Sequence, residues 1–217
     1  METTYIEIDS PDKHLSDVLE EIPSNVILYK TLTGIGATYS EIKAQRHSII
    51  IEPNVPVIIG KCNSDKHKND NLLGVYEGVT TDRIIKYLGA SRGKYYKILT
   101  TPESFTKVKD AFLIFNGKIY NTCFLLIDEA HKTIKDVDYR SDIVLPMNDF
   151  FKFKGKALVS ATPLKFSDPR FEENGFSIIK IEPTYDYAKE IDIKPSTNIL
   201  REVWEELGWM PFITGQD

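Results

Sequence analysis

Cysteine is scarce in this 217-residue chain: only Cys62 and Cys123 occur, too few for a disulfide framework. Cys123 opens the apolar run "CFLLI" and reads as a small buried hydrophobe. Cys62 with His67 makes at most half a metal site, and no second pair completes it. No apolar run approaches the ~20 residues needed to span a bilayer. The start, "METTYIEIDSPDKH", is polar and acidic, unlike a signal peptide. Positive charge is also in deficit: 27 Lys and Arg against 32 Asp and Glu leave a net charge of -5. Any nucleic-acid contact must therefore be local. There is no internal repeat and no low-complexity tract. These absences leave a reduced, cytoplasmic protein without a membrane partner as the expectation.

What is present is core material. Hydrophobic residues make up 41% of the chain, with 11 Phe and 11 Tyr, which argues against disorder. Continuous apolar runs recur: "NVILY" (25–29), "SIIIE" (48–52), "KILTT" (97–101), "FLLID" (124–128), "ALVSA" (157–161) and "SIIKI" (177–181). Continuity rather than alternation predicts strands buried on both faces, hence a parallel sheet. Helix-compatible segments lie between them, "TTDRIIKYLG" and "SFTKVKDAF" among them. Alternating strands and helices predict an α/β, doubly wound fold. The stretch "GKCNSDKHKNDN" (60–71) reads as a loop, and "STNILREVWEEL" as an amphipathic helix.

Open α/β sheets bind ligands at the carboxyl ends of their strands. The strand ends here are rich in polar, glycine and proline chemistry: "TLTGIGAT", "EPNVP", "TTPES", "DEAH" and "SATP". The first resembles a phosphate-binding loop opening into a helix, with Gly34 and Gly36 at the turn and Thr38 supplying the usual hydroxyl. Between them stands Ala37, where such a loop has lysine. In "LLIDEAH", Asp128 and Glu129 are adjacent carboxylates beyond a buried strand. They repel each other beside a low-dielectric core, which makes sense if a divalent cation neutralises them. Asp128 would hold the water shell of Mg²⁺ and Glu129 would orient an attacking water. The alternative is a cap for the following helix. His131 pairs with "SAT", Ser160, Ala161 and Thr162, whose hydroxyls can hydrogen-bond the acidic strand end.

The ordered set "TGIGAT", "EPNV", "TTPES", "DEAH", "SATP" resembles the first RecA-like lobe of superfamily-two helicases, the DEAD/DEAH group, over about Asn25 to Ile181. The resemblance implies a RecA-like P-loop NTPase lobe, an α/β fold with a mainly parallel sheet and helices on both faces. It implies ATP held by Thr33, Gly34, Ile35, Gly36, Ala37 and Thr38, and Mg²⁺ held through water by Thr38 and Asp128. Catalysis then falls to Asp128, Glu129 and His131, and coupling to Ser160, Ala161 and Thr162. DNA or RNA, single-stranded or duplex, would meet Pro53, Asn54, Thr101, Pro102, Glu103 and Ser104 through phosphate contacts. A second RecA-like lobe, in cis or in trans, is the implied protein partner.

Three departures qualify the resemblance. Ala37 removes the cation that bridges the terminal phosphates, so hydrolysis should suffer more than binding. Lys30, just before the loop, and Lys61, beyond the second strand, are the candidates to replace it. A lysine restored at 37 is expected to strengthen ATP binding. Second, the glutamine with which DEAD-box proteins read adenine is missing upstream, since Gln45 and Gln216 are the only glutamines. Third, 36 residues follow Ile181, too few for a second lobe, so a fragment or a partner is expected. The expected organisation is an N-terminal extension (1–24), an ATP-binding lobe (25–182) and a connector with a C-terminal helix (183–217). The rival readings are a pseudo-helicase that binds nucleic acid or protein without turnover, and an unrelated P-loop phosphotransferase. Arg83, Lys86, Arg92, Lys94 and Lys97, with Tyr87, Tyr95 and Tyr96 nearby, add a local basic segment for a nucleic-acid contact.

Overall fold

Successive side chains of a strand leave on opposite faces, so an unbroken apolar run must be covered twice. The computed structural model, which describes residues 1–32, 34–135, 144–162 and 168–186, meets that demand. Its strands are β1 (Thr3–Ile8), β2 (Val26–Lys30), β3 (His47–Ile51), β4 (Leu72–Val75), β5 (Lys97–Thr100), β6 (Cys123–Ile127), β7 (Gly155–Ser160) and β8 (Ser177–Pro183). They form one eight-stranded sheet in the order β1-β8-β2-β7-β6-β3-β5-β4, every pair parallel. The helices are α1 (Leu15–Val18), α2 (Ala37–Lys43), α3 (Val55–Cys62), α4 (Thr81–Ala90), α5 (Phe105–Phe115), α6 (Ile119–Thr122), α7 (Ala130–Lys135), α8 (Val144–Phe150) and α9 (Arg170–Glu173).

The period-two rule divides the core in two. Ile49, Ile51, Leu125 and Ile127 pack with Ile84 and Leu88 of α4, Phe105 and Phe112 of α5, and Phe150 of α8. Ile50, Phe124, Leu126 and Val159 face the other way, onto Leu15 of α1, Ile42 of α2 and Ile58 of α3. Helices thus cover both faces of an α/β sheet, as the continuous runs predict. Residues 1–186 form one compact unit. Among the described residues no helix is long and apolar enough to cross a membrane.

All six predicted strands are present, with two more beside them. Residues 1–24, read from sequence as an extension, contain β1, which pairs with β8 from Thr3↔Ile178 to Ile8↔Pro183. The stretch 60–71, read as a loop, is partly helical: Gly60–Cys62 close α3, and Asp65–His67 make a turn of 3₁₀ helix. Of the connector expected from 183, Pro183 closes β8 and the Thr184 N–H donates to the Ile8 carbonyl, while the rest of it, the amphipathic helix expected at 196–207 and the approach to a second lobe lie outside the described residues.

Candidate functional site

Parallel strands end on a common edge, and the four middle strands of this sheet are neighbours in the order β2, β7, β6, β3. Their carboxyl ends carry Lys30, Ser160, Asp128 and Glu52 in turn. Four buried strands that each end in a polar or charged group make a charged floor. Above it opens a cleft of about 400 Å³, lined by the loop residues Gly34 and Gly36, by Ala37, Thr38 and Tyr39 of α2, by Pro53, Asn54, Val57 and Lys61, and by Asp128, Glu129 and Lys132. A space of that size accepts a nucleotide-sized ligand.

The loop takes its shape from its glycines. Gly34 has φ +80° and Gly36 has φ +87°, left-handed angles that glycine adopts without a Cβ penalty. The Ile35 carbonyl between them accepts the Leu15 N–H at 2.8 Å, which anchors the loop to α1. Ala37 is 2% exposed and joins the core beneath α2. Thr33 lies outside the described residues.

Lys30 is the centre of the floor. Its side chain is 7% exposed, and its Nζ lies 2.8 Å from Asp128 Oδ1 and 2.8 Å from Glu129 Oε1. Burial works against the ammonium charge, but Asp128 and Glu129 outweigh it and hold the lysine pKa above its ordinary value. Burial likewise works against the Asp128 carboxylate, and Lys30 with the Thr38 hydroxyl reverses that and holds its pKa low. Asp128 accepts from three donors: Lys30 and the Glu129 N–H (2.8 Å) on Oδ1, and Thr38 Oγ1 on Oδ2. Thr38 Oγ1 also sits 3.2 Å from Glu52 Oε1. One hydroxyl proton serves one acceptor. Directed to Asp128, it leaves Glu52 to the Lys61 ammonium, with which Glu52 forms an ion pair. Burial, with Asp128 close by, pushes the Glu52 pKa up, and Lys61 offsets only part of that.

Glu129 has φ +49°, an uncommon angle for a residue with a Cβ. Residues held this way concentrate at working sites, where the surrounding structure enforces them. Its carboxylate reaches Lys30 on one oxygen and lies 3.5 Å from His131 Nδ1 on the other. His131 Nδ1 is also 3.1 Å from Ser160 Oγ, so β7 and the start of α7 are joined as the "SAT" reading anticipates. Proton bookkeeping assigns the tautomer. Ser160 Oγ donates to the Thr162 carbonyl at 2.7 Å and accepts the Thr162 N–H at 3.1 Å, so Nδ1 must carry the hydrogen it shares with Ser160.

The sequence-predicted residues divide. Gly34, Gly36, Ala37, Thr38, Asp128 and Glu129 line one cleft, joined by Pro53 and Asn54. The "TTPES" segment is turned inward: Thr101 and Ser104 are each 5% exposed, and Thr101 Oγ1 accepts the Ser104 N–H at 3.3 Å in the turn that starts α5. Of that segment Glu103 is exposed. The basic segment 83–97 runs through α4 to Lys97, the first residue of β5, so its last residues lie at the amino edge of the sheet. Lys97 there is 2% exposed and serves the end of α2 rather than a ligand, donating to the Glu41 and Ala44 carbonyls at 2.7 and 2.9 Å. Glu52, Lys132, Tyr39 and Val57 are cleft residues to which the sequence reading gave no role. Glu52 follows a buried strand just as Asp128 does, and that rule alone points to it.

The oxygens of Thr38, Asp128, Glu129 and Glu52 suit a hard divalent cation held mainly through water and phosphate. Among the described residues no group of three or more His, Cys, Asp or Glu is placed to hold a metal unaided. The lysines lining the cleft suit a polyphosphate.

An all-parallel α/β sheet with a charged cleft at the carboxyl edge of its middle strands is the class this chain presents. No protein-family model matches it, and no curated protein matches it in sequence. Among solved structures, the chain is similar to the Hef helicase domain of Pyrococcus furiosus, with 14% identity and a TM-score of 0.49 over 79% of this chain and 39% of that one. It is similar also to a hypothetical ATP-dependent RNA helicase from Sulfolobus tokodaii, with 16% identity and a TM-score of 0.49 over 72% of this chain and 48% of that one. The chain spans less than half the length of either.

Proposed function

We propose that this chain is a RecA-like, nucleotide-binding lobe of a helicase-type, nucleic-acid-dependent ATPase. The observation that carries the reading is the convergence of Thr38, Asp128 and Glu129 with a two-glycine loop in one cleft at the carboxyl edge of a parallel sheet. Lysines lining the cleft would hold the polyphosphate of ATP. Thr38 and Asp128 would hold Mg²⁺ through water, and the bound ion would supply charge neutralisation at the phosphates. Glu129 would accept a proton from water. His131, bonded to Ser160, ties the acidic turn to the end of β7, a route by which cleft occupancy could reach a second lobe. Nucleic acid, DNA or RNA, remains the proposed partner, on a surface that includes Glu103 and the neighbouring turn.

Calorimetric titration of the 217-residue chain with ATP–Mg²⁺ tests this. Weak wild-type binding that is abolished by Asp128→Ala is expected. No binding by the wild type overturns the reading.

Binding without turnover is the second reading, and two observations favour it: Ala37 is buried, and Lys30 is already paired with both carboxylates. Phosphate release in the presence of single-stranded DNA or RNA separates the two. Release above background, lost in Glu129→Gln, supports the ATPase.

A further inference from the structure

We infer that Lys30, at the end of β2, supplies the phosphate-binding cation that the glycine loop lacks. The inference rests on the nucleotide reading above and adds to it the residue that meets the terminal phosphates.

Three observations place Lys30 in that role. It lines the cleft together with Gly34, Gly36 and Thr38, so its ammonium and the loop face the same space. Among its described partners, Asp128 and Glu129 use two of its three N–H donors, which leaves a third for an oxygen in the cleft. Its stem is fixed. Lys30 is 6% exposed at the end of a strand paired on both sides, so the charge is presented at small cost in side-chain entropy.

Geometry also explains why the cation comes from β2 and not from position 37. Ala37 is 2% exposed and belongs to the same core cluster as Leu15, Ile42 and Ile58, while also bordering the cleft. A lysine there has to fit a longer stem into a position that is already packed. Lys30 starts on the floor and runs upward. Its two carboxylate partners are the groups a divalent cation would take. An ammonium freed from one of them would be open to a phosphate oxygen in the cleft it lines. Lys61 is the competitor, but it is engaged by Glu52 at the side of the cleft and is more exposed than Lys30.

The test compares ATP, ADP and AMP, each with Mg²⁺, on the full chain. Lys30→Met is expected to weaken ATP binding ten- to a hundredfold, as for one lost charge-assisted hydrogen bond. ADP should lose less, and AMP should bind as it does to the wild type. Lys30→Arg should recover most of the ATP affinity. Should Lys30→Met fail to fold, as a thermal melt would reveal, Lys30→Gln keeps a hydrogen bond to Asp128 while removing the charge, and carries the same expectation. Equal losses for all three nucleotides, or none, overturn the inference, since Lys30 is then only a counter-ion for Asp128 and Glu129. An ATP-selective loss in Lys61→Gln with none in the Lys30 variants also overturns it. Failure of the wild type to bind ATP overturns the nucleotide reading itself, which is a separate result.

Discussion

At residue 37 the methyl group of alanine is 2% exposed and packed among apolar side chains, while 2.8 Å ion pairs hold Lys30 in the cleft nearby. That arrangement revises what a lysine at 37 should do. Restoring the loop lysine strengthens ATP binding only if the pocket lacks a cation and the new side chain reaches it. Lys30 already puts a cation in that pocket, and position 37 is too tightly packed to take a lysine stem freely. Ala37→Lys is therefore expected to change ATP affinity by less than threefold. It should cost about 1–3 kcal/mol of stability through overpacking under α2. Calorimetry and urea unfolding measure the two quantities, and a tenfold gain in affinity at unchanged stability would contradict the account. The residues of this site were unevenly legible. Asp128 and Glu129 stand out because adjacent carboxylates after a buried strand need an explanation. Lys30 does not, because a lysine at a strand end is ordinary on the surface. It becomes significant only when the strand order puts β2 one strand away from β6, with β7 between them. That order is a long-range property no local pattern carries.

At the scale of elements, α2 shows how the two edges of the sheet divide their labour. Its first turn borders the cleft, and its last carbonyls are held by Lys97 from the amino end of β5. Lys97 Nζ reaches Glu41 O at 2.7 Å, Ala44 O at 2.9 Å and Ser48 Oγ at 3.0 Å. Cations suit the carbonyl end of a helix, whose last C=O groups lack intrahelical partners. Burial is the largest influence on this lysine and pushes it down to about 8, against the opposing pull of Glu41. In the unfolded chain the amine keeps its proton to about pH 10.5. Between pH 8 and 10.5 the unfolded chain therefore binds more protons than the folded one, and this group makes stability rise with pH across that window. Urea unfolding at pH 7.5 and pH 9.5 should show the increase in the wild type and a smaller one in Lys97→Met. An equal slope in both would refute the assignment. Sequence alone placed Lys97 in a basic, tyrosine-bearing segment because its spacing resembles a nucleic-acid surface; burial is what that spacing cannot reveal. The same limit hid two strands. β4 is short and carries Gly74, where a Cβ would come within 2.9 Å of Ile58 Cγ2, so close packing has removed the side chain that would mark a strand. β1 leaves Thr4, Tyr5 and Glu7 exposed, as an edge strand does, and its polar residues read as a tail. The six predicted strands were legible because continuous apolar runs have few other uses, and all but β8 are buried on both faces.

For the molecule as a whole, the cleft floor is built from the strands that hold the two cores together. β2, β7, β6 and β3 each send alternate residues into the cluster under α4 and α5 and into the one under α1, α2 and α3. A ligand gripping Lys30, Thr38 and Asp128 therefore bears on both cores at once, not on a surface loop. If the nucleotide reading holds, ATP–Mg²⁺ should raise the temperature of a single unfolding transition for residues 1–186 rather than sharpen a minor one. A ligand at a hundred times its dissociation constant stabilises by about 2.7 kcal/mol. For a body of this size that corresponds to a rise of roughly 5–11 °C. Differential scanning calorimetry across a series of ATP concentrations would measure it. The shift should grow logarithmically with concentration and fall away in Asp128→Ala, which removes the acceptor shared by Lys30 and Thr38. It should persist in Lys97→Met, whose change lies at the far edge of the sheet. A shift of equal size in Asp128→Ala would mean that ATP stabilises the chain somewhere other than this cleft. An early transition that ATP leaves unmoved, ahead of a main one, would mean that the cleft and one of the cores unfold separately, against the strand order that binds them.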